Sequence, residues 1–200
     1  MSPAEDPQLT VMYRIDAEDR ISYVNDGWCV FAMENEGEAM TRTRVLGQSL
    51  WDYISDPTTV DLYSQMVKRA REGHPVKFHY RCDAPDRRRL FRMTIAPVGE
   101  GQIEFVSELR REEVRPKVVL LDRLEQNRSE ELVLICSWCE KVALPDGRWV
   151  PVEEAIETMG LMQSERMPGL THGICDNCKF RMMGEFDRAL VNQRASGLET

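Results

Sequence analysis

The sequence predicts an α+β fold followed by a small metal-stabilised module, on three observations. Within the first half, segments with apolar residues alternating at period two bracket segments with apolar residues at intervals of three and four, in the order two strands, helices, three strands. The alternation then dissolves into Arg110-Arg111-Glu112-Glu113 and Pro116. Beyond that point four of the six cysteines fall into two C-x-x-C pairs, Cys136 with Cys139 and Cys175 with Cys178.

Residues 1–9 are polar and proline-bearing and read as a loose tail. Met12-Tyr13-Arg14-Ile15-Asp16 and Arg20-Ile21-Ser22-Tyr23-Val24 read as a hairpin around the polar Ala17-Glu18-Asp19 turn. Asn25-Asp26 can cap a following helix that holds Trp28, Phe31, Ala32 and Met33. A second helix over 58–71 carries Val60, Tyr63, Met66, Val67 and Ala70 at helical spacing and stops at Gly73. Three strand-like stretches follow at 76–82, 90–95 and 102–109. The α+β domain so defined covers 10–112, and 113–131 reads as a linker in which Val118 and its apolar neighbours form a short segment able to pack back on a domain. Pro116 would cost a continuous signalling helix about 3 kcal/mol.

The last stretch, 132–195, is organised by its cysteines. Two thiolates on one C-x-x-C turn can reach a single tetrahedral metal at about 2.3 Å from each sulfur. Alone, such a pair also fits a thiol–disulfide motif or small buried hydrophobes; two pairs in suitable contexts favour one structural zinc. The first pair follows an apolar run and leads into two short strands around Pro145-Asp146-Gly147. Val152, Ala155, Ile156 and Met159 then mark an inserted helix behind Pro151. The second pair opens a helix with Phe180, Met183, Phe186, Leu190 and Val191 on roughly one face. Knuckle, hairpin and a ligand-bearing helix form a treble-clef-like arrangement. So short a segment has a modest apolar stock, and structural zinc contributes about 10 to 16 kcal/mol of apparent folding free energy in small fingers.

Composition bounds the partners. With 42% hydrophobic and 30% charged residues the chain is ordinary for a globular protein. No apolar run approaches the roughly 18 residues that span a bilayer, and the first residues lack a secretory pattern, so a cytoplasmic setting without membrane is expected. There, cysteines serve metals before disulfides. The net charge is −8 and both halves are acidic, which disfavours nucleic acid as a partner. The basic cluster Arg87, Arg88 and Arg89, with Arg92 and Arg81 nearby, reads as a solvated hairpin or as a contact for an acidic protein.

YRIDAEDRISYVND and VLGQSLWDYI, set in the strand and helix order above, resemble the PAS family of sensory domains over about residues 10–112. The resemblance implies a five-stranded antiparallel sheet with helices on one face and a pocket that in such families holds haem, flavin, a small metabolite or nothing. Nothing around Cys29 or Cys82 resembles the reactive-cysteine motif of the flavin-adduct photosensors. Haem would need an axial ligand, and His74 and His79 read as ordinary turn and sheet residues. Trp28, Phe31, Trp51, Tyr80 and Met93 are candidates to line a pocket and equally plain core residues, so a pocket ligand is left unidentified.

CSWCEKV, Trp149 and HGICDNC look like the short cysteine module at the ends of many bacterial PAS-containing sensor kinases and regulators, over roughly 133–180. By that resemblance Cys136, Cys139, Cys175 and Cys178 carry over as metal ligands. His172 is a ligand in their place or a residue packing beside them.

Walker, Rossmann and G-x-S-x-G patterns are missing, as are kinase and receiver motifs. Met183-Gly184-Glu185-Phe186 resembles a fragment of the cyclase signature GGDEF without its Gly-Gly-Asp, and the zinc-deaminase H-x-E carboxylate is missing after His172. The expectation is a non-enzymatic signal-transduction protein: a PAS-type sensory or protein-binding domain joined to a zinc module, acting through noncovalent contact with a second copy or a separate output protein. The competing readings are a thiol redox switch or disulfide-exchange enzyme using the C-x-x-C pairs, and a zinc-dependent nucleic acid binder.

Overall fold

The computed structural model describes residues 9–35, 37–122, 125 and 127–184. Most of the expected tail lies outside the described residues, as do Phe186, Leu190 and Val191.

The period-two stretches of the first half become one antiparallel sheet in the order β2-β1-β5-β4-β3, built from β1 (Thr10–Ile15), β2 (Ile21–Val24), β3 (Val76–Arg81), β4 (Arg87–Gly99) and β5 (Gln102–Val114). β4 and β5 run well past the expected bounds, so that Arg87 pairs with Val114 and Arg89 with Glu112. Ile15, Ile95, Ile103 and Phe105 on one face are completely buried, and helices α1 (Asp26–Glu34), α2 (Arg42–Val45) and α3 (Pro57–Arg71) cover that face.

Local chemistry fixes how these helices start. The Asn25 side chain accepts from the Trp28 N–H at 2.8 Å and from the Met12 N–H at 2.9 Å while donating to the Thr10 carbonyl, so one amide caps α1 and ties it to β1. The approach is close enough that a Cβ on Gly27 would lie 2.0 Å from the Thr10 oxygen. Asp56 caps α3, with Pro57 in its first turn. Leu62, Met66, Val67 and Ala70 bury its apolar face, and Gly73 at φ 87° ends it.

The second half builds a four-stranded sheet in the order β8-β7-β6-β9 from β6 (Arg128–Cys136), β7 (Val142–Ala143), β8 (Trp149–Val150) and β9 (Met167–Gly173). The expected hairpin is β7–β8, and α4 (Val152–Thr158) is the inserted helix. Unforeseen is β9, which runs parallel to β6, from Arg128 opposite Met167 to Cys136 opposite Gly173. Parallel neighbours need a long crossover, and the hairpin with α4 supplies it. A second core gathers Val133, Ile135, Val142, Val150, Ala155 and Ile156. Val118 and the fully buried Leu120, from the stretch expected as linker, belong to it.

A last helix, α5, covers 176–184 of the described chain. Its inward face differs from the expected one: Cys178 and Met182 are buried, whereas Phe180 is 79% and Met183 47% exposed. The sulfur of Cys178 must face the other cysteines, and four residues on, Met182 falls on the same side of the helix. The rotation therefore follows the cysteines and leaves Phe180 outside.

The two sheets share packing. Trp138, between the first two cysteines, is 5% exposed and lies 5.6 Å from the Tyr63 ring and 5.8 Å from Phe78, in the same core cluster as Met66 and Phe105. Its carbonyl accepts the Arg81 N–H at 2.8 Å on the outer edge of β3.

In the arginine cluster Arg87 and Arg88 are exposed, as the solvated-hairpin reading expects, yet each also pairs with a carboxylate of this chain, and Arg89 is buried. Arg87 pairs with Glu112 at 2.9 Å and Arg88 with Glu153, in the first turn of α4, at 2.5 Å. Arg89 is 5% exposed and donates to the Cys82 carbonyl and the Asn35 side chain. At the centre lies Asp83, whose side chain is 0% exposed; it takes the Arg89 N–H, pairs with Arg81, and faces Arg115 at 3.3 Å. Arg115 also reaches Glu153 at 3.2 Å and the Ala84 carbonyl, tying the end of β5 to both halves.

Removing one member of a buried charge group strands the others. Arg115→Met should lower the unfolding free energy by about 2 to 3 kcal/mol in urea titrations, whereas Arg87→Met, which breaks an exposed pair, should cost below about 1 kcal/mol. Equal effects would show that Asp83 does not depend on Arg115.

Candidate metal centre and the cleft beside it

The first cysteine pair sits on a knuckle at the end of β6. Cys136 donates its N–H to the Lys141 carbonyl at 2.8 Å, Glu140 donates back to the Cys136 carbonyl at 2.9 Å, and Glu140 takes a left-handed φ of 55° to close the turn. Ser137 donates to the Gly173 carbonyl at 2.8 Å, which locks the knuckle to the end of β9. Cys175 follows β9 directly and Cys178 lies in the first turn of α5. The parallel pairing of β6 with β9 thus brings together cysteines separated by 36 residues and more in sequence.

All four sulfurs lie within 4.8 Å of one another, and Cys139 Sγ is 3.7 Å from Cys175 Sγ. A tetrahedron with metal–sulfur bonds near 2.3 Å has its sulfurs about 3.8 Å apart, so the cluster is positioned to bind a metal ion. Cys136, Cys175 and Cys178 are buried and Cys139 half-buried. Backbone N–H groups of Cys175 and Cys178 point at the sulfurs of Cys136 and Cys175, each at 3.4 Å, which favours thiolate. Hydrogen bonds from Cys139 and Cys178 hold the Cys136 thiol well below its ordinary range. The same bond raises Cys139 to about 11, and Cys178 is also raised. Proton-sharing of this kind lets one sulfur be anionic at its neighbours' expense; a cation at the centre would remove the conflict.

His172 stands apart from this sulfur group, exposed on β9. Cys29, on α1, and Cys82, just after β3, also lie outside it. His79 projects from the exposed face of β3 and His74 sits in the turn after α3.

Beside the knuckle a cleft of about 470 Å³ opens between the helices of the first sheet and the cysteine loop. Trp28 is the one expected pocket residue that lines it; Tyr80 lines a different cleft, Phe31 packs edge-on against Phe91, Trp51 donates to Asp19, and Met93 is core. The walls that sequence reasoning missed are Tyr13, Tyr63 and Asp56 from the first half and Ser137, Trp138 and His172 from the second. Tyr63 was legible as a core position of its helix, but the approach of Trp138 carries no local signal. Burial pushes the hydroxyls of Tyr13 and Tyr63 well above the usual phenol range.

A second cleft, about 450 Å³, lies on the other side of the knuckle, between the β3–β4 turn and the β6–β9 pair. Its cations are engaged: Arg81 with Asp83, and Arg128 with the carbonyls of Leu120, Asp122 and Pro168. Glu140, which takes the Asp83 N–H at 2.7 Å, is pushed up to about 7 by burial and by the nearby Asp83 carboxylate.

Comparison with known proteins places the first half. Among solved structures, the PAS domain of nitrogen regulation protein NR(II) from Vibrio parahaemolyticus is 18% identical over 52% of this chain and 91% of its own, with a TM-score of 0.32. The PAS domain of an HTR-like protein from Haloarcula marismortui is 19% identical over 53% of this chain and 82% of its own, at 0.33. A fungal LOV domain photoreceptor is 14% identical over 56% and 80%, also at 0.33. No curated protein matches the chain. The sequence profile described as PAS fold matches residues 6–112, a little over half of the chain, on the same segment that forms the five-stranded sheet and its helices, and the protein belongs to the PAS family.

Proposed function

We propose that this protein is a cytoplasmic signal-transduction component of bacterial type, in which a PAS sensory domain is completed by a structural zinc module and acts by noncovalent contact with another protein chain. The observation that carries the reading is the convergence of four cysteine sulfurs within 4.8 Å, two of them on a loop whose central Trp138 is packed into the PAS core. A set of soft thiolates with no open position for water suits structural zinc. Bound there, zinc would be held by Cys136, Cys139, Cys175 and Cys178, and it would supply charge balance and cross-linking.

The chain's own residues do the rest. Ser137 and Trp138 are held between two proposed ligands, so their placement against Tyr63 and Phe78 depends on the knuckle being closed. A change in the PAS core would move the knuckle, and loosening the knuckle would disturb the core. Information then leaves through the surface of the paired halves, toward a second copy or an output protein; the protein itself performs no catalysis in this reading. Among the described residues no helix is long and apolar enough to cross a membrane.

Protein purified under reducing conditions should carry one zinc per chain by elemental analysis, and Cys136→Ser or Cys175→Ser should lose it. Acid should release the metal, because the ligands must be deprotonated to bind. Fully folded, metal-free protein would sink the zinc reading.

Light scattering after size exclusion should show a dimer, or affinity capture from the native cytoplasm should return a specific signalling partner. A strict monomer that captures nothing, yet turns over a thiol or disulfide substrate, would promote the redox alternative.

A further inference from the structure

The four sulfurs of the cysteine cluster are not equally covered. Cys136, Cys175 and Cys178 are 0%, 2% and 6% exposed, whereas Cys139 is half-buried. A small cleft of about 110 Å³ reaches Cys139 and Cys178 between the edge of β3 and α5. Lys77, His79 and Arg181 line it, and among the described residues no carboxylate does. Lys77 and His79, two residues apart, project from the same side of β3, and Arg181 lies about one turn after Cys178 on α5. All three side chains are exposed, and among the described residues none of them is in an ion pair, although the chain carries a net charge of −8.

Thiolates react where they are partly exposed in electropositive surroundings and are inert where buried. Cys139 is the sulfur of the cluster that meets both conditions. The cleft has room for a few waters at about 30 Å³ each, hence for a small hydroperoxide, and its cations are placed to stabilise the anion that leaves when an O–O bond breaks. We propose that Cys139 is an oxidation site for hydroperoxides, with Cys175 as the cysteine that resolves it. The Cys139 thiolate attacks the terminal oxygen of the hydroperoxide: an S–O bond forms, the O–O bond breaks, and the departing oxygen takes a proton from water to leave as water or an alcohol. The Cys175 thiolate, its sulfur 3.7 Å away, then attacks the sulfenic sulfur, forming the disulfide and expelling hydroxide. Two thiolates thus supply the two electrons that reduce one hydroperoxide. The reaction is stoichiometric, and the disulfide joins one cysteine from each C-x-x-C pair. This deepens the zinc reading above and rests on it, because the disulfide removes two of the four proposed ligands and so releases the metal. Trp138 directly precedes Cys139, so the disulfide acts on the residue packed against Tyr63 and Phe78.

The test uses the full chain in a Cys29→Ser, Cys82→Ser background, purified under reducing conditions, freed of reductant and treated with hydrogen peroxide. Metal release is followed with a chelating dye, and the modified cysteines are mapped by mass spectrometry with dimedone present as a trap for sulfenic acid. Dimedone on Cys139 and a disulfide between Cys139 and Cys175 are expected, with one zinc released per chain. Cys139→His, which offers zinc a nitrogen in place of the sulfur, should keep the metal and resist peroxide. Lys77→Gln and Arg181→Gln, which remove no ligand, should each slow the release roughly threefold to tenfold, and Arg110→Gln, on β5, should leave it unchanged. First modification of Cys136, Cys175 or Cys178, a disulfide within either C-x-x-C pair, release from Cys139→His at the unaltered rate, or equally fast release in the Lys77 and Arg181 variants would overturn the proposal. Zinc-loaded protein that withstands a large excess of peroxide sinks this site and leaves the zinc reading standing. Protein purified without zinc, in which Cys139 is still trapped first and pairs with Cys175, sinks the zinc reading and upholds the site.

Discussion

The insertion of Trp138 against the edge of the PAS sheet is the contact on which the rest depends. An open edge strand such as β3 presents unpaired backbone groups and invites association with other strands. Here the Arg81 N–H is taken by the Trp138 carbonyl, while the indole covers Phe78 and Tyr63. One residue thereby takes up a backbone group at the end of that edge and adds its ring to the core of the first half. Its burial is why the two sheets are better regarded as cooperating than as two beads on a string.

Charge reinforces that contact. The protein carries a net charge of −8, yet its densest basic cluster serves internal partners. Asp83, buried at the β3–β4 turn, draws on Arg81, Arg115 and the Arg89 N–H, and gives its own N–H to Glu140 of the knuckle. Buried ion groups of this kind add little net stability compared with apolar packing, but breaking them is costly. Through the Asp83 N–H, which Glu140 accepts at 2.7 Å, this charge group is joined to the knuckle.

The cysteine cluster and the aromatic cleft share the same short loop. Cys136 and Cys139 turn toward Cys175 and Cys178, while Ser137 and Trp138 line the cleft. Any bound metal and any bound molecule would thus bias one conformation of four residues, and linkage makes such an influence reciprocal. Pro116 interrupts any continuous helix after the sheet, and Leu120 beyond it is fully buried in the second core.

Much of this was legible in the sequence because it is local. Alternation gave the five strands, Asn25-Asp26 and Pro151 gave helix starts, and the C-x-x-C spacing singled out four cysteines before any contact was known. What the sequence could not reveal is long-range. The parallel pairing of β9 with β6 depends on a crossover whose closure no local pattern encodes, and it is this pairing that brings the two cysteine pairs together. The rotation of α5 was misread because the convergence of Cys178 with the other three cysteines, and not the apolar repeat of Phe180 and Met183, decides which face turns inward. Arg87 and Arg88 are exposed as the charge run suggested, but the burial of Arg89 and the carboxylates that the run meets were not legible, because charge patterning records sign and not partners, which lie up to 65 residues away. The sequence by itself determined the PAS sheet, its helices and the identity of the four sulfurs; only tertiary structure decided that Trp138 would cross between the halves and build a cleft with Tyr13 and Tyr63, because a pocket is made by residues meeting across chain distances that no periodicity spans.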